Sequence, residues 1–246
     1  MIMFEDAMAH ARQAIADTRI ETQPFEHIYV EKVFPDDFYA ALLRNLPDLD
    51  GYERLSESGR VHGEYSPERY FIGTLTDRLS HLPAQQKMFL RTFFEHFHKQ
   101  DFARALVDKF ARCIRQRFID EGRGGADYNI TWSSLLIRDF GQYVLGPHTD
   151  SPSKLIASLF YLPADDSAAH LGTSLYRPTD RNFRCDGTGR HYDFEQFERV
   201  QTKAFKPNTL FAFPKSSRCF HGVEPVPERQ MRDLLLLDFR HDLGAP

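Results

Sequence analysis

A chain of 246 residues that is 41% hydrophobic and 13% aromatic can build a sizeable core, and its 22 Phe against one Trp point to phenylalanine packing. A formal net charge of -4 offers no basic face for displacing counterions, and no apolar run nears the roughly 20 residues of a bilayer span, so neither nucleic acid nor membrane is expected as a partner. Cys113, Cys185 and Cys219 are too scattered for a disulfide scaffold or structural zinc, and Glu5 and Asp6 stand where a signal peptide would be apolar, so the cytoplasm is the expected location.

Residues 3 to 17 are amphipathic and predict a helix, and Phe25 to Phe34 alternates as a strand. Pro35-Asp36-Asp37 starts a helix that runs through Leu46, with acids at its positive end, and Pro47 closes it. Residues 48 to 70 are polar and read as a long loop. Helices follow at about 84 to 98 and 101 to 120, the second carrying Phe102, Leu106, Phe110, Cys113, Ile114 and Phe118 on one face until Gly122, Gly124 and Gly125 end it. The texture then changes. Short apolar runs at Ile130 to Ile137, Leu155 to Leu162, Thr209 to Phe213 and Arg232 to Phe239 alternate with Pro, Gly, Asp and Asn, as in a β-sandwich or jelly roll. The expected architecture is α+β: a mainly helical part over residues 1 to 125, packed on one sheet of a jelly-roll core over 126 to 246, in one domain with no repeat or linker.

Gly146-Pro147-His148-Thr149-Asp150 lies between two predicted strands, and on extended backbone His148 and Asp150 face the same way. His221 follows 73 residues downstream in Phe220-His221-Gly222-Val223. Two imidazoles and one carboxylate form a facial triad that leaves three positions open on an octahedral iron(II). A bidentate keto acid takes two of them and dioxygen the third. His191-Tyr192-Asp193 and His62-Gly63-Glu64 repeat part of the pattern, but they sit in polar stretches without flanking strands and read as loop residues.

On the strand that follows, Arg232, Leu234 and Leu236 share a face. A buried arginine needs a buried anion, and the carboxylate of a dicarboxylic acid beside the metal would supply one to a planar guanidinium. The other reading puts Arg232 on the outer face, paired with Asp233 or Asp238. Arg229 is the fallback, although its turn favours solvent. Lys154 and Arg138 flank the metal motif on neighbouring strands, within reach of the substrate or keto acid, and read more simply as surface charges. The stretch from Asp165 to Thr202 carries Arg177, Arg181, Arg184, Arg190 and His191 and is either a lid or a solvated mixed-charge loop. His10, His96 and His98 lie on predicted helices, Cys219 is a small core filler and Trp132 a core residue.

Four segments together, Gly146-Pro147-His148-Thr149-Asp150, Leu159-Phe160-Tyr161-Leu162-Pro163, Asn208-Thr209-Leu210-Phe211-Ala212-Phe213-Pro214 and His221-Gly222-Val223-Glu224-Pro225-Val226, resemble the prolyl 4-hydroxylase-like branch of the Fe(II)/2-oxoglutarate-dependent oxygenases. The match covers roughly residues 130 to 240, which the resemblance makes a double-stranded β-helix. It implies metal ligation by His148, Asp150 and His221, 2-oxoglutarate held by Arg232 and by the hydroxyl of Tyr161, and ascorbate as a reductant. On the residues alone, Tyr161 reads equally as a core aromatic. The implied activity is a dioxygenase that uses molecular oxygen to hydroxylate an unactivated C–H bond of a small-molecule or peptidyl substrate, releasing succinate and CO2. Asp150 favours hydroxylation, because halogenating relatives lack this carboxylate. Two departures stand out: Arg232 lies one residue later than the commonest spacing, and the paired glycines before the middle strand reduce to Gly172-Thr173-Ser174. The rival readings are a cupin-type isomerase or hydrolase with no use for a keto acid, and a jelly-roll binding module. Neither the substrate nor the oligomeric state is legible.

Overall fold

The computed structural model describes residues 3–59, 61, 65–74, 79–185 and 190–243. Four helices precede the β-rich half: α1 (Phe4–Asp17), α2 (Asp36–Arg44), α3 (Ala84–Phe97) and α4 (Gln100–Asp120). Glu5 and Asp6 begin α1 and Asp36 and Asp37 begin α2, each placing negative charge at the positive end of the helix dipole. The end of α4 is a Schellman motif. Gly122 takes φ 71°, Gly122 N–H donates to Ile119 at 3.0 Å, and Arg123 N–H donates to Phe118 at 2.7 Å.

The strands are β1 (Ile28–Glu31), β2 (Glu53–Arg54), β3 (Arg69–Gly73), β4 (Ile130–Phe140), β5 (Leu145–His148), β6 (Lys154–Tyr161), β7 (Thr173–Pro178), β8 (Phe197–Lys203), β9 (Thr209–Pro214), β10 (His221–Val223) and β11 (Met231–His241). They form a seven-stranded sheet, β1-β9-β6-β11-β4-β3-β2, and a four-stranded sheet, β5-β10-β7-β8. Of the last eight strands, β4, β6, β9 and β11 lie in the larger sheet and β5, β7, β8 and β10 in the smaller, with the chain crossing between sheets at every step except β7 to β8, which is the winding of a double-stranded β-helix.

Period-2 burial explains why two cores form. On β11, Leu235, Leu237 and Phe239 face the helices, while Arg232, Leu234 and Leu236 face the space between the sheets. Phe160 of β6 lies 5.3 Å from Phe97 of α3 and 5.8 Å from Phe34, ring to ring, and joins the sheet to a largely phenylalanine core. The inner core holds Phe71, Ile137, Leu175, Phe211 and Phe213.

Three expectations from sequence need correction. The strand predicted over Phe25 to Phe34 is only Ile28–Glu31. The loop expected over 48 to 70 contains 3-10 turns at Leu49–Gly51 and Leu55–Glu57, strand β2 and the start of β3, so it extends the larger sheet. The long connection expected over 165 to 202 contains β7 and most of β8. The charged outward positions of β8, Glu198 and Arg199, hid its alternation. Among the described residues, no helix is long and apolar enough to cross a membrane.

Candidate active site

Strands β5 and β10 are antiparallel neighbours in which His148 and His221 are cross-strand partners. Gly222 allows this approach, because a Cβ there would collide with the Leu145 carbonyl. The two imidazole rings lie 4.3 Å apart, and one donor atom from each of His148, Asp150 and His221 falls within 4.8 Å of the others. His148 Nδ1–H donates to the Gly146 carbonyl at 3.0 Å, and His221 Nδ1–H donates to the Cys219 carbonyl at 2.9 Å. A carbonyl can only accept, so both rings are fixed with Nε2 bare, the form in which imidazole binds a metal. Burial and then the neighbouring His221 push His148 well below the ordinary histidine range; burial pushes His221 down as well, partly opposed by Asp150.

Asp150 completes the cluster. Its Oδ2 is buried without a hydrogen-bond partner among the described residues and lies 3.9 Å from His221 Nε2. Burial works against its charge, yet Lys154, followed by His221 and His148, holds the carboxyl well below the usual carboxylate range. Lys154 is not a surface charge: it is 7% exposed, with Nζ 2.9 Å from Asp150 Oδ1 and 3.0 Å from Asp238 Oδ1. A buried carboxylate oxygen with no partner among the described residues, converging with two Nε2 atoms that carry no proton, suits a divalent cation with mixed nitrogen and oxygen preference.

The cluster opens into a cavity of about 290 Å³ between the sheets, also lined by Leu135, Ile137, Leu159, Val223 and Leu236. Arg232 reaches the same cavity and is fully buried. Its partner is neither Asp233 nor Asp238 but Asp139, the residue directly opposite on β4, which accepts from Nη1 at 2.9 Å. Its Nε and Nη2 have no partner among the described residues. Buried donors are rarely left unmatched, so these two mark a place for an anion. Arg69 of β3 grips Asp139 from the other side at 2.6 and 2.8 Å. Two guanidiniums thus share one carboxylate and leave one positive charge uncompensated within this group.

The structure places Tyr161 one layer further back. It is fully buried, burial pushes it up to about 12, and its hydroxyl donates to Thr173 Oγ1 at 2.7 Å. Thr173, rather than Tyr161, lines the cavity beside Arg232. Having accepted from Tyr161, the Thr173 hydroxyl can donate its own proton. Gly172 just before it is required, because a Cβ there would collide with the Lys203 carbonyl.

Of the other side chains singled out in the sequence, some depart from expectation and others, such as Arg229 and Cys219, sit as expected. His191 does lie in a loop, but that loop docks on β5 (Tyr192 N–H to the Pro147 carbonyl, 2.9 Å), bringing the ring within 4.9 Å of His148 at the cavity wall. Arg138 pairs outward with Asp233 at 2.7 Å, and Arg229 sits exposed in a turn at φ 68°. Trp132 is only half-buried, with Nε1–H donating to the His98 carbonyl at 3.2 Å, whereas Cys219 is fully buried. His62-Gly63-Glu64 lies outside the described residues. Thr173, Asp139 and Arg69 went unnoticed because each acquires its role from a cross-strand or cross-sheet neighbour. Only the inward face of the strand around Asp139 could have hinted at one of them.

No protein-family profile and no curated protein sequence matches this chain. Among solved structures, it superposes on a prolyl 4-hydroxylase from Phytophthora capsici with a TM-score of 0.56 and 15% identity, over 100% of this chain and 68% of that one. A prolyl hydroxylase from Trichoplax adhaerens, in complex with a peptide fragment of the oxygen degradation domain of hypoxia inducible factor, superposes with a TM-score of 0.50 and 14% identity, over 96% of this chain and 90% of that one. The fold is therefore a double-stranded β-helix shared with these prolyl hydroxylases.

Proposed function

We propose that this chain is an iron(II)- and 2-oxoglutarate-dependent dioxygenase that hydroxylates an unactivated C–H bond of a small-molecule or peptidyl substrate. The observation that carries this reading is a single cavity with two complementary sets of polar atoms, one of acceptors and one of donors. Asp150 Oδ2 and the Nε2 atoms of His148 and His221 are acceptors suited to a cation, and Nε and Nη2 of Arg232 are donors suited to a carboxylate. A cupin-type metal isomerase or hydrolase would need the first set but gives no reason for the second.

In this reading His148, Asp150 and His221 hold iron(II), with the Nδ1 hydrogen bonds of both histidines fixing their rings. Arg232 takes the distal carboxylate of 2-oxoglutarate through Nε and Nη2, and the Thr173 hydroxyl adds a third donor, its orientation set by Tyr161. Asp139 holds the remaining Arg232 nitrogen, so the guanidinium plane is set before any ligand arrives. Leu135, Ile137, Leu159 and Leu236 keep the cavity wall apolar, which limits water and strengthens these charged contacts. Iron bound there would supply, with dioxygen and the keto acid, the oxidising power that converts C–H to C–OH while the keto acid leaves as succinate and CO2.

The test is to titrate 2-oxoglutarate into the iron(II) protein without oxygen and to follow the weak visible band of keto-acid chelation. The band is expected in the wild type and absent in His148→Ala. Arg232→Ala should need about 10- to 100-fold more ligand, since a hydrogen bond to a charged group is worth about 1.5–3 kcal/mol. Tight iron binding with no band would overturn the keto-acid reading in favour of the cupin-type enzyme.

A further inference from the structure

The two oxygens of Asp150 have different surroundings. Oδ1 is ion-paired to Lys154 Nζ at 2.9 Å, while Oδ2 has no hydrogen-bond partner among the described residues and lies 3.9 Å from His221 Nε2. Lys154 opens β6, four residues after Asp150, and its position is fixed from a second side by Asp238 of β11 at 3.0 Å. Arg240 in turn lies 3.9 Å from the other Asp238 oxygen. A buried cation held between two carboxylates, one just after β5 and the other on β11, has little freedom to release either. Lys154 therefore occupies one particular oxygen of Asp150 and leaves the other to the histidines.

We propose that Lys154 is a positioning residue that restricts Asp150 to one-oxygen ligation and so keeps a third coordination position open at the metal. This rests on the metal-centre reading above. The arithmetic of an octahedral ion makes the restriction consequential. Two imidazoles and one carboxylate oxygen leave three positions, enough for a bidentate keto acid and one further ligand. A carboxylate that swings round to bind through both oxygens leaves two, and the keto acid fills them. Carboxylates adopt either mode readily, so the choice has to be imposed from outside the first ring of ligands. Here Lys154 imposes it by holding Oδ1.

The experiment counts exchangeable waters on bound Mn(II), read as water-proton relaxation enhancement per bound ion without oxygen. Wild type is expected to bind one Mn(II) and to lose about two thirds of its enhancement on saturation with 2-oxoglutarate, as three waters become one. Lys154→Met should start about a third lower and lose nearly all of its enhancement with 2-oxoglutarate. Because Lys154→Met leaves Asp238 buried without its cation, the double variant Lys154→Met/Asp238→Asn is measured alongside, and the same reduction is expected there. Enhancement at the wild-type level in both variants, before and after 2-oxoglutarate, overturns the role of Lys154 and leaves the metal centre intact. Failure of wild type to bind Mn(II), or equal binding by His148→Ala, removes the metal-centre reading itself.

Discussion

Asp139 shows how much a single residue can carry without any mark in the sequence. It is fully buried, accepts from Arg232 at 2.9 Å and takes both Nε and Nη2 of Arg69. Removing its charge leaves two buried guanidiniums facing each other, so Asp139→Asn is expected to cost about 3–5 kcal/mol in urea unfolding, the size seen when one partner of a buried pair is lost. Loss of less than about 1 kcal/mol would show that the arginines find other partners. The histidines and Asp150 stood out in sequence because a short motif on extended backbone specifies where they point. Asp139 did not, and Lys154 read as a surface charge, because their partners are set by the register of β4 against β11 and of β6 against β11, which the sequence does not print. Arg232 was half legible: its inward face followed from alternation, but its ion partner did not.

Among the elements, the helices and the apolar strands were readable because their periodicity runs the whole length, as in α4 and β11. Strands β7, β8, β2 and β3 were not. β8 presents Glu198 and Arg199 outward, and β2 is only two residues long, so neither offers an apolar run. These strands are recruited by neighbours already in place, β7 by β10 and β3 by β4. The seam between helices and sheet depends on Phe160, which is fully buried against Phe34, Phe97 and Phe102. Phe160→Ala is expected to cost about 3–5 kcal/mol, or on the order of 10 °C in melting temperature for a chain of this size. The ligands lie on or just after strands of the four-stranded sheet, across the seven-stranded sheet from this seam, so metal binding measured well below the melting point should be unchanged.

For the molecule as a whole, the candidate centre makes stability depend on pH in one direction. Burial holds His148 and His221 below the ordinary histidine value of about 6.5, and Asp150 is also depressed by its cationic neighbours. A depressed group binds its proton less readily folded than unfolded, so falling pH favours the unfolded chain. For the two histidines the loss begins as pH drops through about 6.5; for Asp150 it begins only below about 4, the ordinary carboxylate value. The metal-free protein should therefore melt at progressively lower temperature from pH 7 to pH 5, by up to about 1.4 kcal/mol per pH unit for each histidine. A His148→Asn/His221→Asn variant should show a flatter profile over that range. An unchanged slope would place the responsible groups elsewhere.

The aromatic rings on the outside of the four-stranded sheet bear on how this molecule opens. Phe183, Tyr192 and Phe194 pack on Tyr176, Phe197 and Phe220 in a cluster separate from the two larger cores. The loop segment that brings His191 to the cavity thus has its own small anchor. Its described backbone ties to the rest include Tyr192 N–H to the Pro147 carbonyl and Cys185 N–H to the Ser217 carbonyl at 3.3 Å. Such a unit opens at a lower free energy than the sheets it rests on. In native-state hydrogen exchange the amides of Cys185 and Tyr192 should therefore exchange well ahead of those of β6 and β11, baring one side of the cavity while both cores stay closed.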